Sequence, residues 1–203
     1  MRKSALLSTL GAAASLVLMT SPAQAAPPTS VWEPVHESIT ETLPPADDPE
    51  FTDFCGFTAE NPVEHAYSAD LELFEQLRGG SAFPYFAVRG TATDVYTNPD
   101  TRETFTTTNT FFDKDLRIVD NGDGTITIAF NTVFEQRVYG SDGELLFVDR
   151  GHIRDAVIVD YNGTPGDPDD DVFLSSVEGA FRAVGHLETE DRDFCEDFIE
   201  FTS

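Results

Sequence analysis

The stretch TITIAFNTVF, residues 125–134, decides the predicted fold. Every second position carries a mostly apolar side chain: Ile126, Ile128, Phe130, Thr132 and Phe134. Successive side chains of a strand point to opposite faces of a sheet, so this alternation predicts a half-buried strand. The run Asn121-Gly122-Asp123-Gly124 directly before it is typical of a turn, because Gly and Asn tolerate positive φ.

Similar alternation extends to both sides of this strand. We expect about eight strands, drawn from residues 51–57, 64–78, 83–97, 102–113, 115–120, 125–139, 144–161, 172–187 and 194–201. Residues 64–78 also fit one face of a helix through Leu71, Phe74 and Leu77, and we prefer a strand because the rest of the domain is β. No helical segment is long enough to join parallel strands, so antiparallel up-and-down pairing is the simplest topology.

The two ends of such a sheet would remain open unless the sheet closes. Closure into a barrel removes both edges. Cys55 and Cys195 lie on the first and last expected strands, and two cysteines in an exported chain most simply form one disulfide. It would close a loop of roughly 140 residues and contribute about 5 kcal/mol. The sequence therefore predicts an all-β fold, a single antiparallel up-and-down β-barrel, with a β-sandwich as the alternative.

The N-terminal region predicts export. Residues 1–25 have a basic start, an apolar run and the motif Ala23-Gln24-Ala25, which together indicate a signal peptide cleaved between Ala25 and Ala26. Residues 26–50 contain six prolines and are expected to form an extended tail without regular structure, from which Trp32, Val35 and Ile39 could dock on the domain. Residues 51–203 form the barrel domain of a secreted protein without a membrane span.

The charge of the chain limits its partners. The formal net charge is −25, with 37 acidic and 12 basic residues. Such a charge repels nucleic acid and anionic lipid, so we expect neither as a partner. It favours a solvated acidic surface, association with cations or a basic partner.

Several motifs resemble those of a group of small exported bacterial proteins of unassigned function. They are DFCGF at 53–57, RGTATDVYTNPDT at 89–101, NGDGTITI at 121–128 and a late strand that carries the second cysteine. The architecture is similar to lipocalin-like and allene-oxide-cyclase-like barrels. The resemblance implies the barrel architecture and no more. The only Trp is Trp32 in the tail, so the chain has no lipocalin G-x-W signature. No catalytic residue can therefore be assigned from either barrel family.

The acidic loop at 163–171 is the candidate cation site. Asp167, Asp169, Asp170 and Asp171 offer several oxygen ligands on a flexible loop, which suits Ca²⁺. A solvated acidic loop is the simpler interpretation, because charge runs are usually solvated. We expect no cofactor, with calcium as the alternative.

The histidines are the candidate acid–base groups. If Gly151 is not a bulge, His152 shares a strand face with Arg150 and Arg154, and His186 shares one with Glu178 and Arg182. Together with His65 at a barrel mouth, such groups could perform acid–base chemistry or bind an anion. Exposed cross-strand pairs are the simpler interpretation.

Three functions follow from these observations. The first is a secreted, non-catalytic β-barrel that binds a small apolar molecule or an extracellular protein. The second is a barrel cyclase or isomerase that uses polar groups at one mouth. The third is a structural protein of the cell exterior that calcium at residues 167–171 stabilises.

Overall fold

A computed structural model describes residues 31–45, 50–78 and 81–203 of the chain. They form one eight-stranded antiparallel sheet and a C-terminal helix. The elements are β1 (Glu33–Leu43), β2 (Val63–Leu77), β3 (Pro84–Thr97), β4 (Thr104–Asp120), β5 (Thr125–Tyr139), β6 (Leu145–Asp160), β7 (Val172–Ser176), β8 (Arg182–His186) and α1 (Phe194–Phe201). The strands follow one another in chain order from β1 to β7, and β8 pairs with β6. The all-β class, the up-and-down order and the strand at 64–78 are confirmed.

The strand register divides the sheet into two faces. Residues paired across neighbouring strands point to the same side. The inner face is the one that carries the buried residues Val63, Ala69, Ile126, Val138 and Val159. The outer face carries the alternate residues of each strand. Because no register shift occurs at Gly151, Arg150, His152 and Arg154 share the outer face, as predicted.

The sheet is not closed, contrary to the expected barrel. Within the described residues, β1 pairs only with β2, while β7 and β8 pair only with β6, so both edges are open. A second sheet, as in a sandwich, is not present among these residues either. The segment that was expected to close the barrel, residues 194–201, is not a strand, which removes the pairing partner of the first strand.

Residues 194–201 form the helix α1 for reasons that are local. The Asp193 side chain accepts hydrogen bonds from the backbone N–H groups of Cys195 and Glu196, which is an N-cap, and Glu196 and Asp197 favour the positive end of the helix dipole. Phe194, Phe198 and Phe201 recur at helical spacing and form one apolar face. Phe198 is fully buried with Val63, Phe105 and Val138, so α1 covers one end of the inner face.

The disulfide between Cys55 and Cys195 is confirmed, but it does not join two strands. It links a tight turn to α1, with the two Cα atoms 4.9 Å apart. Residues 51–57, expected to be the first strand, contain only an isolated bridge between Phe54 and Phe57. Cys55 has φ of 53°, a left-handed conformation that turns the chain back instead of extending it.

The structure joins two of the predicted strands into one and divides another predicted strand into two. Residues 102–113 and 115–120 are one strand, β4, with a bulge between Asp115 and Arg117. Residues 172–187 are two strands, β7 and β8, because a turn around Gly179, at φ of 73°, interrupts the ladder. Both halves still pair with β6, so the position of this segment in the sheet is as predicted.

The Pro-rich segment was wrongly expected to lack regular structure. Residues Glu33–Leu43 form the edge strand β1. An edge strand tolerates Pro34 because only one side of it needs ladder hydrogen bonds. The signal peptide predicted at residues 1–25, with its cleavage between Ala25 and Ala26, lies outside the described residues.

Candidate functional site

A groove of about 660 Å³ crosses the outer face in the middle of the sheet. Its walls are two rows of side chains from neighbouring strands: Arg89, Phe112 and Val133 on one side, and Thr91, Thr110, Glu135 and Arg150 on the other. Val133 is 50% exposed, so this wall presents an apolar surface to the groove. The groove is wide open to solvent and spans the strands from β2 to β6.

The floor of the groove is backbone. Gly90, Phe111, Phe134 and Gly151 also line it and are paired with one another across β3 to β6. The Phe111 and Phe134 side chains point to the inner face and the two glycines have none, so all four present main chain to the groove. Gly90 is required here, since a Cβ at this position would lie 2.2 Å from the Asp70 carbonyl oxygen.

An aromatic and cationic cluster borders the groove at the β3 side. The ring of Trp32, just before β1, lies 5.3 Å from the ring of Phe74 and 6.4 Å from that of Phe112. The Arg89 guanidinium lies 4.4 Å from the centre of the Trp32 ring, and its Nε donates to Glu72 Oε2 at 2.7 Å. Trp32 therefore docks on the outer face, where the sequence had only suggested that it could dock on the domain.

The charges of the groove are unevenly compensated. Arg89 is paired with Glu72, and Glu135 is paired with Arg137 at 2.7 Å. Arg150 forms no ion pair with any described residue, although it weakly lowers the pKa of Glu188, for which the backbone N–H of Val148 is the main cause. Arg150 stands directly opposite Glu135 in the register, so its charge is partly balanced by that carboxylate but is not held in a direct ion pair.

His65 lies on the opposite, inner face and is only 7% exposed. Its Nδ1 is 3.0 Å from Glu41 Oε1, and its Nε2 is 3.0 Å from Asp94 Oδ1. Carboxylates accept hydrogen bonds, so the protonated ring, which has an N–H on each nitrogen, satisfies both contacts. Burial, the largest single influence, lowers the pKa of His65, but its hydrogen bonds to Asp94 and Glu41 raise the pKa above its usual value.

The His65 cluster favours a structural role. The imidazole is stacked on the Tyr96 ring with the centroids 4.6 Å apart. Because Glu41, His65 and Asp94 belong to β1, β2 and β3, the cluster joins the edge strand to the sheet. Neither ring nitrogen remains available for proton transfer to another molecule.

The other histidines lie on the outer face and are separated from His65. The His152 Nε2 is hydrogen-bonded to Asn131 Oδ1, and the His186 Nε2 lies 2.9 Å from Glu188 Oε1. Glu178, predicted to share a strand face with His186, lies instead in the turn between β7 and β8. The three histidines do not form one acid–base site.

The acidic loop is organised by its own hydrogen bonds. Asp170 Oδ2 accepts from Thr164 Oγ1 at 2.6 Å, and Asp167 Oδ1 accepts from the backbone of Asp169 at 3.3 Å. Burial, with the charges of Asp170, Asp167 and Asp160, raises the pKa of Asp171 to about 6. In the described part of the chain, no group of three or more His, Cys, Asp or Glu side chains is placed to hold a metal ion. The calcium hypothesis gains no support from this loop.

Sequence reasoning identified one wall of the groove only in part. It placed Arg150 on the outer face, but it did not single out Arg89, Phe112 or Val133. Each of them belongs to an ordinary alternating strand. Only the register between strands places them side by side in one row across the sheet. Nothing in the local sequence marks them.

Comparison with known proteins does not identify a family for this chain. No protein-family model matches the chain, and neither the curated proteins nor the solved structures give a significant match. The resemblance to small exported bacterial barrels therefore stays a prediction. Among the described residues, no helix is both long and apolar enough to cross a membrane.

Proposed function

We propose that the chain is an exported, non-catalytic binding module that holds a small molecule with an apolar body in the outer-face groove. The observation that carries the proposal is the half-exposed Val133 beside Phe112 in the wall of a groove of about 660 Å³. The groove is open on one side, so a ligand in it lies along the sheet with part of its surface in solvent. Phe112 and Val133 are the apolar side chains of walls that otherwise carry polar and charged groups, which suits a ligand with an apolar body and polar or charged groups beside it.

The shape of the groove supports an elongated ligand. Arg89 on β3 and Arg150 on β6 lie at its two ends. Three strand spacings separate these strands, which is on the order of 14 Å. A single alkyl chain or a pair of fused rings fits such a length, with its body against Val133 and Phe112.

The charges of the groove support binding over catalysis. Both of its carboxylates are paired with arginines, Glu72 with Arg89 and Glu135 with Arg137. A carboxylate next to an arginine stays ionised and is a weak general base. His65, the one buried histidine among the described residues, lies on the other face with both nitrogens engaged.

Export is supported by the disulfide between Cys55 and Cys195, because such bonds persist in oxidising compartments. A binding module outside the cell also fits the net charge of −25, which keeps a protein soluble.

Binding can be measured through Trp32, the only tryptophan, which contacts a wall of the groove through Phe112. Titration with decyl maltoside below its micellar concentration should change the Trp32 fluorescence and saturate. Val133→Asp should weaken binding at least tenfold, which corresponds to about 1.4 kcal/mol. Leu145→Asp, at another half-exposed apolar position on β6, is the matched control and should bind as the unchanged protein does. No saturable change, or equal affinity of the Val133→Asp variant, would overturn the proposal.

A further inference from the structure

The basic residues of the sheet are confined to one face. All seven Lys and Arg residues of the described strands lie on the outer face: Arg89, Lys114, Arg117, Arg137, Arg150, Arg154 and Arg182. The inner face of these strands carries none, but it holds the carboxylates of Glu41, Asp94, Asp113, Asp115 and Asp149. The outer face also carries Glu64, Asp70, Glu72, Glu135 and Asp160, so it is mixed in charge, but it holds all the Lys and Arg charge of the strands, on the side where the groove lies.

The register gathers four of these basic groups beside the groove. Lys114, Asn131, Arg154 and Arg182 are paired in one row across β4, β5, β6 and β8. Two positions along β6 lies His152, and two further lies Arg150, which lines the groove. We call Lys114, Arg150, His152 and Arg154 the cationic patch. It joins the groove at Phe112, since Lys114 Nζ lies 5.8 Å from the centre of that ring.

The patch is only partly neutralised by the protein itself, since Glu135 stands directly opposite Arg150 without forming a direct ion pair with it. In the described part of the chain, Lys114, Arg150 and Arg154 form no ion pairs, whereas Arg89 and Arg137 on the same face do. Arg154 also stands directly opposite Arg182, an arrangement that costs stability. Arg182 relieves part of this repulsion by donating to the carbonyl oxygens of Gly179 and Phe181. An anion from outside the chain would relieve the rest.

A buried amide holds two members of the patch in place. Asn131 is 7% exposed, and its Oδ1 accepts from His152 Nε2 and from Arg154 Nε at 3.4 Å. The shared acceptor aligns the imidazole and the guanidinium side by side. The remaining N–H groups of Arg154 can donate outward to an oxyanion, for which a guanidinium is well suited.

We propose that the cationic patch binds the oxyanion head group, a phosphate or a carboxylate, of the same ligand whose apolar body lies in the groove. This inference rests on the proposed function and adds the charge class of the ligand. The head group lies against Lys114, Arg150 and Arg154, and the body extends over Val133 toward Arg89. The carboxylates of the opposite face do not oppose it, because the sheet separates them from the patch.

The test compares two ligands with the same tail. Decyl phosphate carries the oxyanion, and decyl maltoside carries a neutral head. At low ionic strength, the unchanged protein should bind decyl phosphate at least tenfold more tightly than decyl maltoside. The preference should disappear in the Lys114→Gln/Arg154→Gln double variant and in 1 M salt, which screens exposed charges. The Arg78→Gln/Arg102→Gln variant loses the same charge away from the outer face of the sheet and should keep the preference.

The outcomes separate the two proposals. Equal affinity of the unchanged protein for both ligands overturns the cationic patch and leaves the groove as proposed. Binding of neither ligand overturns both. Inorganic phosphate that binds as tightly as decyl phosphate, without an effect of Val133→Asp, overturns the joint site. Far-ultraviolet circular dichroism checks that each variant folds, and the single Arg150→Gln variant, which should lower the preference at least threefold, replaces a double variant that does not fold.

Discussion

Asp115 allows a direct measurement of how much a buried carboxylate on the inner face lowers the free energy of unfolding. This residue of β4 is 9% exposed, and its Oδ2 accepts a hydrogen bond from the Phe86 N–H at 2.8 Å. Burial raises the pKa of Asp115 to about 6, the Asp113 charge adds to the rise, and the Phe86 N–H and Arg78 partly oppose it. A carboxyl with a folded-state pKa above its unfolded-state value destabilises the fold at high pH and ceases to do so as the pH falls.

The magnitude follows from this shift. A rise from 3.8 to about 6 is roughly two pKa units, and each unit corresponds to about 1.4 kcal/mol. At pH 7.5 the charged Asp115 therefore costs about 3 kcal/mol, and at pH 4.5 the same linkage leaves about 1 kcal/mol. Asp115→Asn keeps an acceptor oxygen for the Phe86 N–H and removes the charge. We expect its effect on the free energy of unfolding to be about 2 kcal/mol more favourable at pH 7.5 than at pH 4.5.

Urea denaturation at both pH values, followed by Trp32 fluorescence and circular dichroism, measures this difference. Glu103→Gln removes the same charge at an exposed position in the β3–β4 hairpin, and its effect should change by less than about 0.5 kcal/mol between the two pH values. The control also accounts for the fall in net charge on acidification. If Asp115→Asn has the same effect at pH 7.5 as at pH 4.5, the proposed cost of burying this carboxylate is wrong.

Three further predictions concern the stability of the sheet. Gly90→Ala should destabilise the protein by several kcal/mol in urea denaturation, since the new Cβ would lie 2.2 Å from the Asp70 carbonyl oxygen. Gly166→Ala is the control and should be near neutral, because a Cβ at that position has nothing within 4 Å. Equal effects of the two substitutions would contradict the close approach of β2 and β3. Reduction of the disulfide, which spans 140 residues, should lower the melting temperature and decrease the free energy of unfolding by up to about 5 kcal/mol. Two free thiols detected in the native protein by mass spectrometry would refute the pairing. His65→Gln should destabilise the protein more at pH 5.5 than at pH 9. A histidine whose pKa is raised by folding contributes its full stabilisation below the unfolded-state pKa and loses it as the pH rises through the folded-state pKa. An effect in urea denaturation that does not depend on pH would exclude the imidazolium.

Local patterns were sufficient wherever a segment alternates over its whole length. Residues 125–139 were predicted to be a strand and form β5 with the same bounds. Residues 83–97 exceed β3 by one residue at one end, and residues 144–161 exceed β6 by one residue at each end. The alternation is decisive because each strand has one face on the core and one in solvent. The shared outer face of Arg150, His152 and Arg154 followed from the same period.

Other elements were readable but were read incorrectly. The helix at Phe194–Phe201 is indicated by Asp193 at the N-cap, by Glu196 three residues later and by Phe at three positions of helical spacing. The strand β1 was missed because prolines suggested a tail, although an edge strand accepts Pro34. For residues 194–201 the expectation of a closing strand outweighed the local signal, and for β1 the proline content did.

Local sequence was sufficient to predict the segments that form β2 to β6, the two faces of these strands and the disulfide. These properties depend on the period of side chains along one segment and on the number of cysteines. Only the tertiary structure decided that the sheet stays open, that α1 covers one end of the inner face, and that Val133, Phe112 and Arg150 share one groove. Those features depend on the register between strands that are far apart in the chain, and register is set by the packing of the whole sheet.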